Sequence, residues 1–259
     1  MLHFPAPSPS CRSLVPEPSM DSAFPPSAEA RSLLEEISTR WSLITNPLQF
    51  VLRYSPAVRC YLGALVKNPH DAEDVAQTFL LRMVGRPFTP GRVAKGRFRD
   101  YLKAVLRNAA MDFFRQRGQC PIEVANLDQL AAPDPEQAAD RAWLTEWRSC
   151  LLQRAWEGLD QYERNAPDSL AYTALRLAAD YPDEGSTALA VRASALTHRS
   201  LRADAFRKQL SRARRRFAQL LVNEIRKTLE HPDAAEMVEE LGHLELMVYV
   251  RDYLPEPFR

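Results

Sequence analysis

The chain has 259 residues, 46% of them apolar, and a formal net charge of +1 that conceals a strong segregation of sign. That length and apolar share are enough for real cores in two modest domains. Four widely spaced cysteines without a CxxC pair, five scattered histidines and no apolar run near the roughly 18 residues of a membrane span exclude a disulfide scaffold, a metal-binding module and membrane insertion. Eight glycines and no alternating apolar runs bounded by turn pairs leave little case for a sheet, so the chain reads as all-α.

Residues 1–40 are rich in Pro, Ser and Ala and are expected to be mostly disordered, apart from a short helix over 31–39. No charged segment followed by an apolar one is present there, so no secretion signal is read, and Met20 is a second candidate start. Trp41, Leu43 and Ile44 open an apolar cluster, and Phe50, Val51, Tyr54, Val58, Tyr61, Leu62 and Leu65 mark one broad helical face over 50–66. Asn68-Pro69-His70 halts that helix, and Asp71-Ala72-Glu73-Asp74-Val75-Ala76-Gln77 begins the next. Asp71 is read as its N-cap with Asp74 in the first turn, both favoured by the positive end of the helix dipole. Val75, Phe79, Leu80 and Met83 face inward, which leaves Glu73, Asp74, Gln77 and Arg82 on an exposed polar face suited to a protein contact rather than to catalysis.

After a loop with Pro87, Pro90, Gly91 and Gly96, the stretch 92–117 carries eight basic residues against Asp100 and Asp112. A helix over 97–117 interleaves Phe98, Tyr101, Phe113 and Phe114 with Arg99, Lys103, Arg107, Arg115 and Arg117. Cations and rings together suit unpaired nucleic acid, charge following the phosphates and rings stacking on bases. For each ring taken singly, a core position is the simpler reading, because most lie on the apolar stripe.

Pro121, Pro133 and Pro135 amid Ala, Asp and Glu mark residues 119–141 as a flexible linker. A second helical domain over 142–230 opens with Trp143, Trp147, Leu151, Ala155, Leu159 and Tyr162 near steps of four, continues with a helix over 170–179, and breaks at Pro182-Asp183-Glu184-Gly185. The next helix places Leu189, Ala193 and Leu196 on one face, and the turn Thr197-His198-Arg199-Ser200 contains no glycine. Residues 197–217 then carry eight basic side chains against Asp204 alone, while Phe206, Leu210, Ala213, Phe217 and Leu221 recur at three- and four-residue steps. The result is one buried face and one cationic strip roughly 20 Å long. Such a strip can be a solvated surface whose arginines pair internally. Helix, short turn and basic helix in succession instead make a helix-turn-helix, whose second helix can enter a groove. Residues 231–259 form an acidic helical tail. Two basic blocks separated by acidic sequence point to two nucleic-acid contacts on one molecule.

The run 71–77, then Arg107-Asn108 with Asp112 and Arg115, then Phe206-Arg207-Lys208, Leu210 and Arg212-Ala213-Arg214 occur in a telling order and spacing. In these motifs the chain resembles the sigma-70 family of bacterial RNA polymerase sigma factors, in the compact extracytoplasmic-function (ECF) type that keeps only regions 2 and 4, and most closely its planctomycete-like variants. The likeness spans roughly 40–229 and departs from the family in the glycine-free turn, the short approach over 41–50 and the tail. It implies two small helical domains joined by the linker: a region 2 bundle over 41–118 and a region 4 helix-turn-helix over 142–230. It also implies no enzymatic activity and no cofactor or metal, a cytoplasmic location, and core RNA polymerase and promoter DNA as partners, with an anti-sigma factor as an additional candidate.

By the resemblance, Asp71, Glu73, Asp74, Gln77 and Arg82 meet core polymerase. The loop 88–96 and the following helix, with Arg97, Arg99, Lys103, Arg107, Asn108 and Arg115, meet the minus-10 element. In the minus-35 element, Arg202, Asp204, Arg207, Lys208 and Ser211 are candidates for base edges, and Arg199, Arg212 and Arg215 for phosphates. The rival reading is a stand-alone helix-turn-helix regulator that binds operators without polymerase.

Overall fold

A computed structural model describes residues 47–85, 97–117, 135–229 and 233–254. The expected disordered segment 1–40, the cluster at Trp41–Ile44 in sequence, the loop 88–96 and most of the linker lie outside the described residues. Among the described residues there are nine α-helices and no strand. They are α1 Pro47–Leu65, α2 Pro69–Gly85, α3 Phe98–Gln116, α4 Pro135–Asn165, α5 Ala171–Asp180, α6 Ser186–Thr197, α7 Ala203–Arg226, α8 Ala234–His243 and α9 Met247–Val250, followed by one 3₁₀ turn, Arg251–Tyr253. No described helix is long and apolar enough to cross a membrane.

The start of α2 differs from the expectation. Asn68, not Asp71, caps it: the Asn68 side-chain oxygen accepts the His70 N–H at 2.9 Å, and the Asn68 carbonyl accepts the first helical bond from Ala72 at 2.9 Å. Pro69 then occupies the first helical position, where its missing N–H costs nothing and its fixed φ suits the helix. Asp71 becomes a first-turn acid, still favoured by the dipole.

The chain folds as two compact units, and neither is continuous in sequence. One comprises Ser38–Cys150 with Arg226–Pro232, the other Leu151–Ile225 with Asp233–Arg259. The long helix α4 begins at Pro135, inside the stretch expected as linker, and gives its first half to one unit and its second half to the other.

In the first unit α1 and α2 pair, and aromatic rings from α1, α2, α3 and α4 fill the space they share. Tyr54 stacks on Trp147 with centroids 4.4 Å apart and planes 9° from parallel, and Phe98 meets Trp147 at 6.1 Å. Phe50 packs edge-on to Phe79 and Phe98, and Tyr61 edge-on to Trp143. The two tryptophans therefore serve this unit, although their four-residue spacing had read as the opening of the next domain. The last residues of the discontinuous piece close over α3, whose Phe98 N–H donates to the Thr228 carbonyl at 3.2 Å. An orphan donor of the helix start is thereby satisfied.

In the second unit Trp156, Phe217 and Tyr172 form the largest ring contacts, Trp156 lying 5.2 Å from Phe217 and 5.8 Å from Tyr172. Helices α5 and α6 and the start of α7 enclose a small core of Ala174, Leu177, Leu189, Ala190, Ala193 and Phe206. Leu196, expected on the same face, is instead 65% exposed. The inward stripe of α6 runs through Leu189, Ala190 and Ala193 and turns at its end to Ser194 and Thr197, whose hydroxyls the turn requires.

Trp147 is fully buried within the aromatic cluster of the first unit. Trp147→Ala is expected to destabilise that unit by about 3–5 kcal/mol, the usual cost of deleting a large buried ring. Denaturant unfolding followed by circular dichroism measures it; a loss below 1 kcal/mol would show that the stack is not structural.

Candidate nucleic-acid and protein interfaces

The second unit builds its basic face from the core outward. Phe206, wholly buried, pins the first turns of α7 against α5 and α6. The turn before it is held by side chains. The Ser194 hydroxyl donates to the Ala190 carbonyl at 2.7 Å and accepts the Leu201 N–H at 2.9 Å, and the Thr197 hydroxyl donates to the Ala193 carbonyl at 2.7 Å. His198 adopts the left-handed conformation at φ 54°, the position that glycine usually fills after a helix. The missing glycine is thus replaced by a strained residue and not by a different turn.

Gln209 fixes the direction of α7. Its amide donates to the Asp168 carbonyl at 3.3 Å, and its oxygen faces the Leu170 N–H at 3.5 Å. Arg199 donates to the Pro167 carbonyl at 2.8 Å from the turn. At the other end of α6, Arg192 makes two bonds to Glu184, at 2.6 and 2.7 Å, and lies over the Tyr181 ring. The hydrogen bonds from Arg192 hold the Glu184 carboxyl below its usual range.

With α7 so oriented, Arg199, Arg202, Asp204, Arg207, Lys208, Ser211 and Arg212 are exposed, and Arg215 is half-buried. Asp204 and Arg207 form an ion pair one turn apart. The structure brings the expected minus-35 residues onto one side of a single helix and its preceding turn. A rigid, cationic first half of a helix following a short turn is suited to lie in a DNA major groove with side chains reaching base edges and phosphates.

In the first unit the expected protein-contact residues share the outer side of α2. Asp74, Gln77 and Arg82 are exposed, and Asp71 and Glu73 are half-buried. Glu73 accepts a bond from the Gln77 amide at 3.0 Å and pairs with Arg59 of α1 at 3.3 Å. Arg117, at the end of α3, bridges Asp71 and Asp74, the latter at 3.3 Å, with its guanidinium over the Phe113 ring. Arg82 sits two turns further along. Arg59 and Arg117 were not legible as members of this site, because each comes from another helix. Leu81, 71% exposed, adds an apolar residue to the same helix.

The expected minus-10 residues divide. Arg97 and Arg107 are half-exposed, and Asn108 and Arg115 are exposed, Arg115 lying 3.6 Å from Asp112. Arg99 is only 6% exposed, with its guanidinium 3.7 Å from Asp100, and Lys103 donates to Asp140 of α4 at 2.7 Å. Arg99 and Lys103 thus serve the packing of α3, and the outward stripe is Asp100, Ala104, Asn108, Asp112 and Arg115, with Tyr101 and Val105 half-exposed beside it. Tyr101, Phe113 and Phe114 are half-exposed rings of α3. Among the described residues no group of His, Cys, Asp and Glu is placed to hold a metal ion.

Residues 50–119, which take in α2, α3 and most of α1, match the family model for Sigma-70 region 2. The chain is also similar to the RNA polymerase sigma-E factor of Streptomyces avermitilis, 33% identical over an alignment of 112 residues that covers 39% of this chain and 61% of that protein. The chain therefore spans about three-fifths of the length of that relative. No solved structure gives a significant match.

His198→Gly is expected to raise stability by about 0.5–1 kcal/mol. Relief of roughly 1–2 kcal/mol of left-handed strain outweighs the roughly 0.4–1 kcal/mol of added unfolded-state entropy. Chemical denaturation of the two proteins tests this, and an unchanged or lower stability would mean that the imidazole makes a compensating contact.

Proposed function

We propose that the chain is a sigma factor that binds core RNA polymerase and directs promoter-specific initiation of transcription. The observation that carries this reading is the presence, in one chain, of a region 2 match over 50–119 and a separate helix-turn-helix whose cationic strip is exposed along the first half of α7. The region 2 match favours it over a stand-alone regulator, which has no need of such a domain. The protein would act by binding alone, in the cytoplasm where polymerase and chromosome meet. An anti-sigma factor would have to block the acidic face of α2 or the strip of α7.

In this reading Asp71, Glu73, Asp74, Gln77 and Arg82 contact polymerase. Arg97, Arg107, Asn108 and Arg115 contact the minus-10 element, while Arg99 and Lys103 act within the fold. Opening a duplex costs a few kcal/mol per extruded base. Tyr101, with cations on either side along α3, offers a ring on which an unpaired base can stack. Arg202, Asp204, Arg207, Lys208 and Ser211 read minus-35 base edges, and Arg199, Arg212 and Arg215 bind phosphates.

Asp74→Arg is expected to weaken binding to core polymerase at least about tenfold, about 1.4 kcal/mol, by placing a like charge where a cation is received. Thermal unfolding should stay within about 1 kcal/mol of wild type, since the ion pair lost is exposed. Undiminished co-purification with core would remove α2 from the interface. Arg207→Ala should cost about 1–3 kcal/mol at one promoter position in a binding-site scan; a uniform loss at every position would make Arg207 a phosphate contact.

A further inference from the structure

The cationic strip of α7 does not stop where its sequence stops. Residues seven apart on a helix lie within about 20° of each other, so Arg214 continues the line of Arg207 one heptad on. Arg207 is exposed, yet Arg214 is half-buried and its Nε lies out of reach of solvent. The line Asp204, Ser211, Ala218 shows the same change, from exposed to fully buried along one direction of the helix.

The C-terminal segment lies over this second half. Tyr249 packs edge-on to Phe217 at 6.3 Å, and Leu246, Val250 and Leu254 are fully buried. The charges of Tyr253 and Asp252 in its last turn act on the Arg214 guanidinium. Burial pushes the Arg214 pKa down, with Tyr253 and Asp252 opposing, and burial likewise raises the Tyr253 phenol. Arg214 remains a cation, since guanidinium does not deprotonate in proteins, but one already shielded from solvent.

We propose that residues 247–254 form a cover that takes Arg214 out of the DNA-facing strip, so that releasing this segment adds one phosphate contact and tightens duplex binding. The cover rests on the reading of α7 as a DNA-binding helix. Asp252 is exposed, with a carboxylate that opposes phosphate at the same place, so the segment acts against DNA in two ways. It shields the guanidinium from solvent, and it presents negative charge near it.

The test is binding of the full-length chain to a 30-base-pair duplex across a salt series, with wild type, Asp252→Asn, Asp252→Asn/Tyr253→Ala, and each combined with Arg214→Ala. The double variant is expected to bind more tightly and to steepen the slope of log K against log salt by about 0.9, the contribution of one phosphate contact. Asp252→Asn alone, which leaves the packing intact, should give a smaller change in the same direction. Arg214→Ala should leave wild-type affinity unchanged and abolish the gain in the double variant. An unchanged slope in both Asp252 variants, or a loss of wild-type affinity on Arg214→Ala, would overturn the cover alone, provided that Arg207→Ala still weakens binding. Absence of salt-dependent duplex binding by the wild-type chain would remove the DNA-binding reading and the cover with it.

Discussion

The placement of Phe206 sets the rotation of α7 about its own axis, and most of what the second unit can do follows from that rotation. With its ring enclosed by Ala174, Leu177, Leu189, Ala190 and Ala193, every residue on the opposite side of the first turns must face solvent. That side carries Arg207, Lys208, Ser211 and Arg212. The small alanines around the ring let α5 and α6 approach closely, so one large side chain fills the space between three helices. Gln209 and the Ser194 hydroxyl then remove the remaining freedom, one fixing α7 against the loop before α5 and the other closing the turn. A cationic helix held this rigidly loses little conformational entropy when it meets DNA, which leaves more of its contact energy for affinity.

The first unit solves a different problem. It must present an acidic helix and a basic helix without letting them collapse on each other. Part of the solution is internal pairing: Lys103 is taken by Asp140, Arg99 is buried, and Arg117 spans Asp71 and Asp74. Exposed pairs of this kind add little to stability, so their effect is on what the surface offers to a partner. The stacked Tyr54 and Trp147 and the rings around them supply the stability instead, at about 0.5–1.5 kcal/mol per favourable ring pair beyond area burial.

Helices were legible where apolar residues recur with a helical period. The stripe through Phe206, Ala213, Phe217 and Leu221 is buried as its spacing requires, and so is the one through Val75, Phe79 and Leu80. What the pattern could not convey is which helix receives each stripe. Trp143 and Trp147 have the same spacing as Leu151 and Ala155 on one continuous helix, and only their neighbours in space assign the former to the first unit. The partner of Lys103 lies 37 residues away and those of Arg117 lie 43 and 46 away, so a list of basic residues could not distinguish those that face solvent from those already paired. The capping of α2 was readable in principle, since Asn followed by Pro is a strong start signal. The left-handed His198 was not, because nothing in a histidine announces positive φ.

The claim on which everything else depends is that the acidic helix and the basic helix-turn-helix work together on polymerase. Incubating the purified chain with bacterial core RNA polymerase, recovering the complex, and running it on a pool of genomic promoter fragments tests this directly. Stable core binding with transcripts from a defined subset of promoters is the expected result. Failure to bind core, together with tight binding to a palindromic duplex by the chain alone, would contradict a sigma role and identify a stand-alone regulator.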